Sequence, residues 1–178
     1  MEQLLYLLRD VIRLRRGPQD APYSPRLLII LCGVSVLVQL ALARILAVEG
    51  ATLAGGVIAL AFNLGILYFL LNVRGFSNRF VQAALTWLGC ALLFQLLSLP
   101  LVLLAGGHLP SAPEHLTPAQ TLLGLVSLPI VIWKLAIDAH ILRHSLDLPF
   151  LGGFLIAVCW VIAEVVLGAA LGGTQVGA

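Results

Sequence analysis

The sequence predicts an all-α polytopic membrane protein, a bundle of five transmembrane helices with an N-terminal interfacial amphipathic helix. Of its 178 residues, 61% are hydrophobic and 10% are charged, and the mean hydropathy is +1.07. A soluble domain needs a polar shell and carries roughly 25% charged residues. The composition therefore excludes a soluble globular enzyme, a disordered chain and a secreted disulfide scaffold.

Five apolar runs are long enough to cross a bilayer, which takes about 20 residues per helix. They divide the chain into a cytoplasmic segment (1–26), a five-helix transmembrane domain (27–172) and a short outer tail (173–178). We therefore expect no soluble domain. The predicted spans are residues 27–48, 51–73, 80–105, 119–142 and 149–172.

The basic residues predict the orientation of the bundle, because cytoplasmic loops of membrane proteins are enriched in Lys and Arg. Segment 1–26 carries five arginines, the connection 74–79 carries two, and the next connection on the same side carries Arg143. The opposite side has only Arg44 near the end of a span. We therefore expect a cytoplasmic N-terminus, an outer C-terminus and residence in a bacterial cytoplasmic membrane.

The first 16 residues predict an amphipathic helix that ends at Gly17 and Pro18. Arg9, Arg13 and Arg16 fall on a different face from the apolar positions. Such a helix either lies in the cytoplasmic interface, with these arginines on lipid headgroups, or packs on a partner subunit. The apolar positions are Leu4, Leu5, Leu8, Val11 and Ile12.

Ionisable residues inside apolar runs are costly and mark functional candidates. Lys134 and Asp138 are four residues apart, so they share a helix face and predict an ion pair. The helical rise puts Lys134 about 12 Å and Asp138 about 6 Å from the cytoplasmic end of the span. The pair is interpreted as a structural feature of a helix end, as part of an ion or proton relay, or as a contact with a partner subunit.

Glu164 lies deeper, roughly 22 Å from the cytoplasmic side by the same calculation. No cation stands near it in the sequence, so its partner must come from another helix. A protonated Glu164 bonded to Gln95 or Gln39, and an ion pair with Arg44, are the expected arrangements. Asn63 is expected to hydrogen-bond across helices, which amide side chains often do in membranes.

The remaining motifs argue against a cofactor, a metal or a nucleic acid. His140 and His144 have the spacing of two ligands on one metal, but the run lacks the Glu and third ligand of a zinc-protease helix. They are therefore weak candidates, and neither a metal nor haem is expected. The net charge of +2 is too small for a nucleic-acid-binding protein, which would show a basic face or stripe. There is no GxSxG, HExxH or phosphate-binding glycine loop, so we expect no enzyme.

Two segments resemble known proteins. The start LLYLLRDVIRLRRGP, followed by five spans with short loops, and the segment WKLAIDAHILRH (133–144) are similar to bacterial members of the Yip (Ypt-interacting protein) superfamily. The resemblance implies a non-enzymatic five-span bundle that binds other membrane components, and it carries over no catalytic residue. The chain lacks the DLYGP-type signature of the eukaryotic branch, so a trafficking role is not implied.

These observations predict a non-enzymatic accessory or scaffold subunit of a larger cytoplasmic-membrane complex. Its expected partners are other integral membrane subunits, with homo-oligomers left open. The alternative is a small oligomeric transporter or channel with Glu164, Lys134 and Asp138 in a polar path. The direction in which Glu164 points distinguishes the two, because a transporter needs it to face a hydrated cavity.

Overall fold

A computed structural model of the chain describes residues 2–45, 52–104 and 118–172. Residues 105–117, with most of the connection between the third and fourth predicted spans, and the predicted outer tail (173–178) lie outside these ranges. Within them the chain forms six α-helices and two 3₁₀ turns, with no strand. The helices are α1 (Glu2–Ile12), α2 (Pro25–Ile45), α3 (Leu53–Val73), α4 (Phe80–Leu104), α5 (Pro118–Leu146) and α6 (Phe150–Gly172), and the turns are Pro18–Asp20 and Ser77–Arg79.

In the described ranges, five helices are long and apolar enough to cross a membrane, which confirms the predicted all-α membrane bundle. The fourth of these helices, α5, continues to Leu146, four residues beyond the predicted end at 142. Polar residues such as Arg143 end an apolar span without ending a helix, and this explains the difference. The five spans are Pro25–Arg44, Leu53–Val73, Ser77–Leu101, Gly124–Leu146 and Phe150–Ala170.

Helices α1, α3 and α5 are each followed, within two residues of their last residue, by a residue in the left-handed conformation. Leu14, Gly75 and Asp147 have φ angles of 58°, 76° and 53°. In each case the next amide donates a hydrogen bond five residues back, as in a Schellman cap. These caps turn the chain sharply, so that α3 leads into α4 and α5 into α6. The bonds run from Arg15 to Asp10 (2.9 Å), from Phe76 to Leu71 (2.7 Å) and from Leu148 to Arg143 (2.9 Å).

The two sharp connections meet at one end of the bundle, called here the basic end. The Arg74 guanidinium donates to the carbonyl oxygens of Leu146, at 3.3 Å, and Asp147, at 3.4 Å. The Arg79 guanidinium donates to the carbonyl oxygen of His144 at 3.5 Å. Both arginines therefore cap the C-terminal carbonyls of α5, where a positive charge also complements the helix dipole.

The apolar face of α1 packs on α4 and α5 of the same chain. Leu8 contacts α4 where Gly89 leaves room, since a Cβ on that glycine would lie 2.8 Å from the leucine side chain. The indole nitrogen of Trp133 donates to the carbonyl oxygen of Ile12 at 3.2 Å. A location of α1 in the lipid interface stays a prediction. The buried residues of this face are Leu4, Leu7, Leu8 and Val11, all at most 5% exposed.

The segment after α1 is also held by side chains of the bundle. The Gln82 amide donates to the carbonyl oxygens of Gln19 and Ala21, at 3.2 and 2.7 Å. His140 Nε2 lies 3.0 Å from the carbonyl oxygen of Arg16. Because a carbonyl only accepts hydrogen bonds, this nitrogen carries a proton. The linker between α1 and α2 is thus fixed along α4 and α5.

Packing is tightest between α5 and α6 near the basic end. A Cβ placed on Gly153 would lie 2.5 Å from the carbonyl oxygen of Ala139 and 3.0 Å from Arg143. The same atom on Gly152 would meet nothing closer than 3.6 Å. The backbones of the two helices therefore approach at Gly153, which is the close contact that small residues allow in membrane bundles.

Gly153→Ala is expected to destabilise the bundle by about 1–3 kcal/mol, the usual effect of overpacking a close contact. The measurement is the unfolding midpoint of the purified protein in mild detergent. Gly152→Ala is the matched control, because it makes the same chemical change one residue away without a clash. Equal midpoints for the two variants would contradict the close approach at Gly153.

Candidate intramembrane polar site

Polar and aromatic side chains from four helices meet inside the bundle. They are called here the polar cluster. Its members carry charged, amide or indole groups in helices that can span the membrane, where such groups need partners from the protein itself. The cluster consists of Asn63 on α3, Trp87 on α4, Lys134 and Asp138 on α5, and Trp160 and Glu164 on α6.

The ion pair of Lys134 and Asp138 is the charged part of the cluster. The Lys134 ammonium donates a hydrogen bond to Asp138 Oδ2. The Asp138 side chain is only 10% exposed and that of Lys134 26%. The ammonium also lies 5.9 Å from the centre of the Trp87 ring, within cation–π range. The second oxygen of Asp138, Oδ1, is buried and has no hydrogen-bond partner in the described part of the chain.

Trp160 joins three helices at the level of this ion pair. Its indole nitrogen donates to Asn63 Oδ1, which is a hydrogen bond from α6 to α3. The Asn63 amide in turn donates to the Ala59 carbonyl oxygen, one turn back along α3, at 3.0 Å. The Trp160 ring stacks on the Trp87 ring of α4, with centroids 5.3 Å apart and planes 26° apart. Asn63 thus bonds across helices, with a tryptophan as its partner.

Glu164 is half-buried one helical turn beyond Trp160. Its carboxyl group interacts with the side chains of Asn63 and Trp160 and lies in the electrostatic field of Lys134 and Asp138. These neighbours differ from the expected ones. Gln95 and Gln39 are half-buried on α4 and α2, and Arg44 is exposed near the end of α2. The prediction of Gln95, Gln39 or Arg44 as the partner of Glu164 is therefore corrected.

The direction of the helices explains this correction. Every Cα–Cβ bond in an α-helix tilts toward the N-terminus of that helix. Helices α5 and α6 are antiparallel, so Lys134 leans away from the basic end while Glu164 leans toward it. Helix α5 continues to Leu146, and α6 begins at Phe150. The helical rise therefore places Lys134 about 18 Å and Glu164 about 21 Å from the basic end, so the two side chains lie at a similar depth. The signal in the sequence was Trp160, four residues before Glu164 and on the same face.

The two histidines near the basic end contact each other and the N-terminal segment. The rings of His140 and His144 make an edge-to-face contact, with centroids 4.5 Å apart. His140 Nε2 is occupied by the Arg16 carbonyl described above. Among the residues that the structure describes, no three His, Cys, Asp or Glu side chains converge as a metal site would require. His140 therefore anchors the N-terminal segment.

A small crevice opens beside the cluster between α4, α5 and α6. Its free volume is about 10 Å³, which is the lower limit for a single water molecule. Among the described residues that line it, the carboxyl groups of Asp138 and Glu164 are the ionisable groups, and the others are apolar or aromatic. Chemically, this space can hold a proton or one water. The lining residues are Trp87, Asp138, Leu142, Ala157, Trp160, Val161 and Glu164.

The fold and the cluster define a class, an integral membrane protein whose spanning helices carry an internally bonded polar cluster. Comparison with known proteins does not narrow this class, since no family model, curated protein or solved structure matches the chain. Any functional assignment therefore rests on the geometry of the cluster and of the helix surfaces.

Lys134→Met is expected to destabilise the protein by about 3–5 kcal/mol, because it leaves the Asp138 carboxylate buried without its cation. The double variant Lys134→Met/Asp138→Leu is expected to recover most of that loss, since it removes both charges. Unfolding midpoints in mild detergent measure both effects.

The matched control for this prediction is Arg9→Met, which breaks the exposed ion pair between Arg9 and Asp10, 3.7 Å apart. Exposed pairs contribute about 0–1 kcal/mol, so this variant should leave the midpoint nearly unchanged. A loss in Lys134→Met no larger than that in Arg9→Met would contradict the buried ion pair.

Proposed function

We propose that this chain is a non-enzymatic accessory or scaffold subunit of a larger complex in a bacterial cytoplasmic membrane. The supporting observation is that the polar groups of its spanning helices bond to one another. Lys134 pairs with Asp138, and Trp160 bonds to Asn63. A transport path needs such groups to face water along a continuous route, and here they stabilise the packing of four helices instead.

The size of the crevice beside the cluster supports the same proposal. Its free volume of about 10 Å³ is the space of about one water, so the crevice that Asp138 and Glu164 line has the size of a water site. The resemblance of the N-terminal segment and of residues 133–144 to the Yip superfamily agrees with a bundle that binds other membrane proteins. We propose that relationship on those segments alone.

The helix surfaces supply the contacts that a subunit needs. Helices α2, α3 and α6 carry large apolar side chains that are exposed on the outside of the bundle, such as Ile29, Phe69 and Val165, at 72%, 64% and 66%. In a membrane these surfaces contact lipid or other subunits, and other integral membrane subunits are the proposed partners.

The arginines after and within α1 supply a second contact. Arg9, Arg13 and Arg16 are exposed, and their proposed partners are lipid headgroups of the cytoplasmic leaflet. Asp10 lies 3.7 Å from Arg9 and 3.3 Å from Arg16, so it holds two of these side chains near one another. With these arginines on the cytoplasmic leaflet, the proposed orientation has a cytoplasmic N-terminus and an outer C-terminus.

Purification of the tagged protein from its own membranes, at its native level and in mild detergent, tests this proposal. We expect a different membrane subunit to be recovered in a fixed stoichiometry, and a tag on that subunit to recover this chain in return. The control is an unrelated small membrane protein with the same tag. Recovery of a discrete homo-oligomer alone would contradict the accessory role.

A small oligomeric transporter or channel is the second candidate, because Asp138 and Glu164 line one crevice. Proton flux into liposomes, followed with a trapped pH-sensitive dye, distinguishes the accessory subunit from the transporter or channel. Under the accessory proposal Glu164→Gln changes assembly or stability, and neither wild type nor variant conducts above empty liposomes. A flux in the wild type that Glu164→Gln abolishes while assembly stays intact would favour transport.

A further inference from the structure

One oxygen of the polar cluster has no bonding partner in the described residues. Asp138 Oδ1 is buried and unbonded, while Oδ2 of the same carboxylate is paired with Lys134. Leaving a buried acceptor unsatisfied is costly, so such an atom calls for a physical explanation, of which a bound water or ion is one. Asp138 lines the water-sized crevice together with Glu164. The second carboxyl group of the cluster thus shares this space with the unsatisfied oxygen.

The charges around this space do not balance. Lys134 contributes one positive charge, whereas Asp138 and Glu164 each contribute one negative charge when ionised. The neighbours from α3, α4 and α6 are the amide of Asn63, the rings of Trp87 and Trp160 and the buried thiol of Cys90 on α4, which lies in the field of both Lys134 and Asp138. None of these neutralises a carboxylate. An unpaired charge in a low-dielectric interior is removed most readily by neutralisation.

We propose that the carboxyl groups of Asp138 and Glu164 bind one proton between them. Glu164 carries this proton and donates it as a hydrogen bond to Asp138 Oδ1, directly or through a single water in the crevice. The arrangement satisfies the orphaned oxygen and makes the three-residue set Lys134, Asp138 and Glu164 electrically neutral.

The ligand is a proton because the crevice lacks the means to bind a metal cation. Hard cations take about six or more oxygen ligands, whereas the oxygens here come from two carboxyl groups and the remaining lining is apolar or aromatic. A free volume of about 10 Å³ leaves no space for a hydrated ion.

Glu164 is the group that carries the proton because Asp138 already has a cation. The Lys134 ammonium donates directly to Asp138 Oδ2, which favours the ionised form of that carboxyl group. Glu164 makes no direct ion pair among the described residues, since its hydrogen-bonding neighbours are the side chains of Asn63 and Trp160. The Lys134 ammonium acts on it through the electrostatic field. The proton therefore resides on Glu164, and Asp138 accepts.

Infrared spectroscopy of the wild-type protein in lipid bilayers tests this inference at neutral pH. Carboxyl groups in contact with water are ionised there, because they titrate near pH 4, so a protonated carboxyl gives an isolated carbonyl band. We expect one such band per chain, shifted when the glutamates carry ¹³C and unshifted when the aspartates do. The measurement on labelled wild-type protein needs no variant, so its result stands even if a substitution disturbs folding.

Two variants then assign the band to a residue. Glu164→Gln is expected to abolish it, while the control Asp20→Asn, at an exposed carboxylate, leaves it intact. The absence of a band in the wild type, or a band that moves with ¹³C-aspartate, would overturn the inference. So would a band that persists in folded Glu164→Gln. None of these outcomes depends on whether the chain has a partner subunit.

Discussion

The hydrogen-bonded ion pair of Lys134 and Asp138 is the contact around which the other polar groups of the bundle are arranged. Two charges inside a spanning helix are costly to bury, and pairing each with its opposite offsets much of that cost. The pair lies against Trp87 of α4, and Trp87 stacks on Trp160 of α6. Trp160 then bonds to Asn63 of α3. The ion pair and the contacts around it thus link four helices.

Packing around this pair is uneven along the bundle, and the unevenness has a physical cause. Buried residues concentrate at the basic end, where residues 83–90 of α4 and 137–142 of α5 are all buried. Here α1 covers the apolar face of α4 and α5, and the close approach at Gly153 brings α6 against α5. Among the described residues, exposed large apolar side chains lie on all five spanning helices, including the part of α5 away from the basic end, such as Leu122 and Ile132. In lipid this surface needs no covering, because acyl chains are as apolar as leucine.

The features that could be predicted from the sequence are those set by nearby residues. Composition and run length are enough for five spans, and a spacing of four is enough for the Lys134–Asp138 pair. The apolar stripe of α1 also follows from local spacing. The surface that α1 packs against does not follow from the sequence, because lipid, a partner subunit and the bundle itself can each cover an apolar stripe.

The partners of Glu164 were missed for a related reason. The predicted depth of Lys134 is counted from residue 142, whereas α5 continues to Leu146. Contacts also depend on where side chains lean and on which helices are neighbours. Gly153 lets α6 approach α5 closely and so makes these two helices neighbours. No local sequence pattern distinguishes Gly153 from Gly152. Long-range packing of this kind requires coordinates.

Lys134 is the only lysine in the chain, which allows its pairing to be measured in the unmodified protein. Solid-state nuclear magnetic resonance in lipid bilayers, with ¹⁵N on the lysine ammonium and ¹³C on the aspartate carboxyl carbons, reports whether the two groups touch. A direct ion pair predicts strong dipolar coupling between the single lysine nitrogen and one carboxyl carbon. A lysine signal with no such coupling would contradict the central role of this pair.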